Sequence, residues 1–209
     1  MLVCGQIAHV SEAEILATHT SGLFDDAVEQ AAAMLRAGEL VALPTETVYG
    51  LASNALEPES VGKIFAAKDR PERNPIIVHV EGIPMARECV AIWPNAAARL
   101  AKAFWPGPLT LVLPKADCIP DVVTAGGGTV GVRWPSHPLM QAVIRACRFP
   151  LAAPSANMSS HISPTNAEHV RAQMGENLPL IVDGGQSQVG IESAVVEILE
   201  DGVNVLRPG

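Results

Sequence analysis

Proline sets the grain of this chain. Its 17 prolines stand mostly at the ends of apolar runs, so the fold has to be assembled from many short elements with sharp boundaries. Val28, Ala31, Ala32 and Leu35 recur at helical spacing and predict a helix over about 25–37, ended by Gly38. Residues 40–43 then read as a short buried strand stopped by Pro44. A second helix is expected over 59–67, with Val61, Ile64 and Phe65 on one face, and the β-branched run 76–80 reads as a strand. A helix over 96–104 ends at Trp105-Pro106-Gly107-Pro108. Further strands are expected at 109–113, 129–133, 151–153, 180–183 and 194–199, with helices over 138–147 and 166–174. Several strand pairs lack an intervening helix. The expected class is therefore α/β of mixed α+β character: one twisted, mostly mixed β-sheet with helices packed on it, rather than a pure doubly wound fold.

The bulk properties narrow the function. A chain of 209 residues can bury one sizeable core, which favours a single domain, here placed at 25–209 with 1–24 as an N-terminal extension or first strand. Hydrophobic content of 48% against 17% charged residues excludes global disorder, and only 4% aromatics means an aliphatic, alanine-rich core. A formal charge of −8 opposes a broad phosphate-tracking surface for duplex nucleic acid. The cysteines Cys4, Cys89, Cys118 and Cys147 form no CxxC pair and the six histidines no HExxH-like spacing, so no protein metal site is assigned. The N-terminus has no basic n-region, and no run approaches the roughly 18 apolar residues of a membrane span. A soluble, cytoplasmic protein is expected.

Against that acidic background, Lys63, Lys68, Arg70 and Arg73 place four cations within eleven residues. Lys68 can simply complement the end of its helix dipole. The continuation Asp69-Arg70-Pro71-Glu72-Arg73-Asn74-Pro75 is a proline-stiffened loop, in which arginine is suited to bidentate contact with phosphate oxygens. Leu43-Pro44-Thr45-Glu46-Thr47-Val48-Tyr49-Gly50 places polar residues at the end of a buried strand, where α/β proteins often contact ligands, although the same run can merely start a turn. Ala125 to Gly131 contains a formal GxGxxG, but its glycines precede a strand instead of opening a helix, which excludes a dinucleotide fingerprint. In Pro154-Ser155-Ala156-Asn157 the two polar residues alternate and can face one side, or else form a polar turn. His79 lies inside the strand 76–80, where a lone histidine is usually structural. No serine triad, P-loop or paired carboxylates are present.

Taken together and in order, LPTETVYGLASNA, KDRPERNPIIVHV, WPGPLTLVLP, TVGVRWPSHP, APSANMS, SPT, DGG and VLRPG strongly resemble the YrdC family of threonylcarbamoyl-AMP synthases, from about Val28 to Gly209. The resemblance implies a concave, positively charged cavity in a YrdC-like fold. It also implies a nucleotidyltransferase reaction in which L-threonine, bicarbonate and ATP give threonylcarbamoyl-AMP and pyrophosphate, the product passing to the transferase that modifies tRNA. Threonine-side positions would fall on Thr47, His79, Arg133, Ser155 and Ser193. ATP-side positions would fall on Arg70, Asn74, Thr129, Asn157, Ser163 and Arg207, with Lys68 and Arg70 as the catalytic pair beside the phosphates and a magnesium ion assisting. In Ser193-Ala194 the family commonly has threonine at the second position, and longer members carry an additional domain and a linker that helps cover the site. Two alternatives stay open: a carbamoyl-adenylate-forming homologue, and an RNA-binding module, against which the net charge counts.

Overall fold

The computed structural model describes residues 13–209. Among these described residues, ten strands form one mixed sheet in the order β1-β8-β2-β3-β7-β4-β6-β5-β9-β10. They are β1 Glu14–Ala17, β2 Val41–Leu43, β3 Gly50–Asn54, β4 Val78–His79, β5 Leu109–Pro114, β6 Thr129–Arg133, β7 Leu151–Ala152, β8 Leu180–Asp183, β9 Ala194–Leu199 and β10 Gly202–Arg207. Four pairings are parallel (β1/β8, β2/β8, β4/β6, β5/β9) and the other five are antiparallel. Seven helices accompany them: α1 Ser21–Arg36, α2 Pro58–Lys68, α3 Ile83–Glu88, α4 Asn95–Phe104, α5 Asp121–Thr124, α6 Pro138–Cys147 and α7 Ala167–Met174.

Strand alternation sorts side chains into two cores. Val41, Leu43, Ala52, Leu151, Leu180 and Val182 point to one face, where they meet Ala27, Ala31 and Leu35 of α1 and Leu139, Val143 and Ile144 of α6. The intervening Ala42, Leu51, Ala152 and Ile181 point to the other face and join Val61 and Ile64 of α2, Ala97 and Ala101 of α4, and Val170 of α7. Helix α1 meets this face through a stripe of three alanines, Ala27, Ala31 and Ala32, with Leu35 at its end, all buried. Helix α6 crosses beside it on the same face.

The mixed sheet and its flanking helices follow the sequence reading, with three differences that have physical causes. Helix α1 begins at Ser21 instead of 25, because Thr20 caps it: its side chain accepts from the Leu23 N–H at 3.3 Å. Strand 76–80 shrinks to Val78–His79, since the Ile76 N–H turns to the Val123 carbonyl. Strand β3, Gly-Leu-Ala-Ser-Asn, has little intrinsic strand preference and exists because β2 and β7 pair with it on either side. Strand β1 runs parallel to β8, with Glu14 opposite Leu180, and ends the sheet on that side. Of the 1–24 segment, residues 1–12 lie outside the described residues. The 125–128 segment is a plain connection into β6, with Ala125 and Gly126 both in the left-handed region.

Candidate active site

The sheet's centre supplies the floor of a cavity of about 120 Å³. Parallel pairing of β4 with β6 sets His79 directly opposite Arg133, so their side chains leave the sheet on one face. The turn between β2 and β3 brings Thr45 and Thr47 to the same place, and the segment after β7 brings Ser155. That segment is fastened to β3: Leu51 N–H donates to the Pro154 carbonyl and Ala156 N–H to the Tyr49 carbonyl, each at 2.8 Å. Arg70, Glu192 and Arg207 complete the opposite wall.

A strap after β8 holds the β2–β3 turn in shape. Ser187 Oγ donates to the Thr45 carbonyl at 2.9 Å, Val189 N–H to that of Glu46 at 2.9 Å, and Gly190 N–H to that of Thr47 at 3.0 Å. Gly184 starts the strap, and a Cβ there would come within 2.5 Å of Pro44 and 2.9 Å of His137, so only glycine passes. Tyr49, fully buried, donates its hydroxyl to the Gly185 carbonyl at 2.7 Å. Burial, reinforced by the Asp183 carboxylate, pushes that phenol above its ordinary range and keeps it neutral.

At the inner end, Arg133 and Glu46 form an ion pair of 2.8 Å with both side chains almost wholly buried. Nη2 of Arg133 donates to Glu46 Oε1 and to Thr47 Oγ1 at 3.0 Å, while Nε reaches the Gly107 carbonyl at 3.4 Å. Glu46 Oε2 accepts from the Ser136 N–H at 3.1 Å. Nη1 of Arg133 has no hydrogen bond among the described residues. His79 beside it is buried, and Nδ1 has no partner among the described residues. Burial first, then the Arg133 charge, drives its imidazole down to about 3, so it is neutral at physiological pH and its ring offers one donor and one acceptor.

At the outer end, Arg70 is fixed by its own loop, donating to the carbonyls of Asn74 at 3.4 Å and Pro75 at 3.0 Å. Arg207 donates through Nε and Nη2 to the Ser193 carbonyl at 3.1 and 3.0 Å. Glu192 accepts from Ser163 Oγ at 2.8 Å and stands 3.9 Å from Arg207. Lys68 takes another position. It is 1% exposed, lies behind the cavity wall, and donates Nζ to the carbonyls of Ser155 and Asn157. Burial, then repulsion from Arg70, lowers its pKa to about 8, with Glu192 acting in the opposite sense. Asn157 hydrogen-bonds through Nδ2 to the Met158 and His161 carbonyls, each at 2.8 Å, and Oδ1 is buried without a partner among the described residues.

Of the residues singled out in the sequence, Thr47, Arg70, His79, Arg133, Ser155 and Arg207 line one cavity. Lys68, Asn157 and Ser193 sit buried behind its wall; Ser193 Oγ is 2.9 Å from Thr110 Oγ1. Ser163 reaches the wall through Glu192, whereas Asn74 and Thr129 are exposed and do not line the cavity. Three participants carried no assignment from sequence: Glu46, Thr45 and Glu192. Glu46 was visible in the polar run after β2, and its burial partner Arg133, distant in sequence, was the missing signal.

Three guanidinium groups and a neutral histidine meet at one cavity in an α/β domain built on a mixed sheet. The family model Sua5/YciO/YrdC, described as telomere recombination, matches residues 33–209, and the chain belongs to that family. It is 47% identical over 179 residues to the threonylcarbamoyl-AMP synthase of Pyrococcus abyssi, covering 86% of this chain and 53% of that protein. To the enzyme of the same name from Bacillus subtilis it is 49% identical over 186 residues, covering 88% and 54%. The crystal structure of P. abyssi Sua5 complexed with L-threonine superposes with a TM-score of 0.89 at 42% identity, covering 95% of this chain and 58% of that one. The chain thus spans about half the length of these curated relatives.

Proposed function

We propose that this domain makes threonylcarbamoyl-AMP from L-threonine, bicarbonate and ATP, releasing pyrophosphate, for threonylcarbamoyl-adenosine modification of tRNA. The observation that carries the reading is the convergence of Arg70, Arg133 and Arg207 with neutral His79 around one cavity. Relatives named for this reaction, and a relative with L-threonine bound, support it. The catalytic unit is the domain over 25–209, acting in the cytoplasm; among the described residues no helix is long and apolar enough to cross a membrane.

The reaction asks for little acid–base chemistry. Threonine's amine and bicarbonate lose water to form a carbamate, already an anion. One of its oxygens attacks the α-phosphorus of ATP and pyrophosphate leaves. The obstacle is repulsion between two anions, so catalysis rests on orientation and on fixed positive charge. Arg133 and Ser155, with Thr47, His79 and Ser193, form the threonine end. Arg70 and Arg207 form the nucleotide end; Ser163 reaches it through Glu192, Asn157 stands behind its wall, and Asn74 and Thr129, outside the cavity, would meet the parts of the nucleotide that extend beyond it. Lys68 acts through the wall, placing the Ser155–Asn157 segment while adding its charge.

Magnesium fits the residues present in one limited way. Among the described residues no group of three or more His, Cys, Asp or Glu can hold a metal, and Glu192 is the carboxylate in the cavity lining. An ion carried mainly by triphosphate oxygens and water, with Glu192 as the one protein ligand, matches that set. When bound, it would offset phosphate charge.

Pyrophosphate release from ATP decides the matter. The expected result is release that requires both threonine and bicarbonate. Release needing neither overturns the reading, and release driven by carbamoyl phosphate alone would assign a carbamoyl-adenylate chemistry instead. An inert chain that binds RNA with a steep salt dependence would make it a binding module.

A further inference from the structure

The innermost hydrogen bonds of the cavity fix which way their protons point. Thr45 Oγ1 lies 2.6 Å from the carbonyl oxygen of Val48. A carbonyl brings no hydrogen, so two oxygens that close must share the proton of the Thr45 hydroxyl. Thr45 Oγ1 is also 2.8 Å from Thr47 Oγ1. With the one Thr45 proton already committed, the proton between the two hydroxyls belongs to Thr47. Thr45 therefore accepts here with one lone pair, while the backbone N–H groups of Thr47 and Val48, each at 3.2 Å, share the other. Thr47 Oγ1 in turn accepts from Arg133 Nη2 at 3.0 Å. That leaves it a lone pair and no proton for anything in the cavity. Reversing the chain would bring two buried oxygens together with no hydrogen between them, which a water-poor site penalises heavily.

We propose that Thr45 is a positioning residue that determines specificity. By taking the Thr47 proton it makes Thr47 an obligate acceptor, and the closed end of the cavity then selects an amino acid whose side chain donates a hydrogen bond. The inference rests on the reading of L-threonine as the amino-acid substrate. The threonine hydroxyl donates to Thr47 Oγ1. Its carboxylate meets Nη1 of Arg133, the guanidinium nitrogen that Glu46, Thr47 and Gly107 leave open. The amine is then left toward Arg70 and Arg207, where the carbamate has to meet the nucleotide. Binding energy for the hydroxyl comes from a polarity set one residue away from the ligand. A hydroxyl that could rotate freely would accept as readily as donate, and would tolerate ligands of either kind.

The test is calorimetric titration of the chain with L-threonine, L-valine and L-2-amino-3-fluorobutanoate. The fluorine of the last accepts weakly and donates nothing while keeping the size of the hydroxyl. The unaltered chain should prefer threonine over the fluoro analogue by on the order of a hundredfold, the cost of an unsatisfied buried acceptor. Thr45→Val should cut that preference about tenfold, with Thr45→Ser restoring it. Equal binding of threonine and the fluoro analogue by the unaltered chain overturns the proposal, even if Thr45→Val fails to fold. So does a folded Thr45→Val with its preference intact. A chain that binds no L-threonine at all removes the functional reading, and this inference with it.

Discussion

The two ends of the cavity are built on opposite terms. At the closed end, Thr45, Glu46, Thr47, His79 and Arg133 are at most 6% exposed, and the one fixed cation is neutralised by a carboxylate at 2.8 Å. At the mouth, Arg207 and Glu192 are 41% and 35% exposed at the side chain and stand 3.9 Å apart, a loose pair in solvent. The closed end is committed to one arrangement, and among the described residues its hydrogen bonds leave Nη1 of Arg133, a lone pair on Thr47 and the His79 ring unspent. The mouth keeps its charges available. A small amino acid recognised by shape and polarity suits the first, and a polyphosphate with its counterion suits the second.

The largest effect should come from breaking the closed end. Glu46→Ala leaves Arg133 buried with no counter-charge, and losing one partner of a buried pair costs on the order of 3–5 kcal/mol. Urea denaturation should show that loss. The double variant Glu46→Gln with Arg133→Met, which removes both charges, should recover most of the stability and none of the threonine binding. A Glu46→Ala protein as stable as its parent would mean that the closed end is as loosely held as the mouth.

Lys68 lies between the two regions, and its pKa of about 8 separates activity from stability. Its positive charge is lost as pH rises through about 8, so turnover should fall there if that charge assists the phosphates. Stability moves the other way. The folded chain releases this proton near 8, while the unfolded chain holds it up to the ordinary value of 10.5. Across that window the unfolded state binds more protons, and the contribution of Lys68 to stability improves with rising pH. In Lys68→Arg the charge persists, and the alkaline limb of the rate profile should disappear. A limb that survives in Lys68→Arg assigns the titration to another group and leaves Lys68 as a strut for Ser155 and Asn157.

Much of the sheet could be read before the structure because its strands are apolar, short and bounded by proline or glycine. Strands 129–133, 180–183 and 194–199 and helix 138–147 fall where the apolar runs placed them. Strand β3 could not be read, since its small residues pair by position and not by preference. The same divide runs through the site. Arg70 and His79 stood out as polar groups in unusual places, and Arg133 came only with the family resemblance. Glu46 did not, because the reason for its burial lies 87 residues away. Glu192 sits on the strap after β8, and what gives it a part is its neighbours Ser163 and Arg207, brought in from other segments. Lys68 shows the converse: of the four cations clustered in the sequence only Arg70 lines the cavity, and the most buried of them faces two backbone carbonyls.

The smallest effect on stability should come from the mouth. A solvent-exposed pair 3.9 Å apart contributes about 0–1 kcal/mol, so Glu192→Gln should leave thermal unfolding almost where it was. Its consequence should be confined to the nucleotide. If Glu192 is the protein ligand of a magnesium ion, the magnesium concentration that half-saturates turnover should rise several-fold in Glu192→Gln, and threonine affinity should stay constant. If the carboxylate instead merely offsets Arg70 and Arg207 until phosphates arrive, ATP should bind more tightly to the variant, with magnesium dependence unchanged. Titrating magnesium at fixed ATP, and then ATP at fixed magnesium, distinguishes the two. A fall in threonine affinity in either series would mean that the mouth and the closed end are energetically one site, and that their contrasting construction has no counterpart in binding.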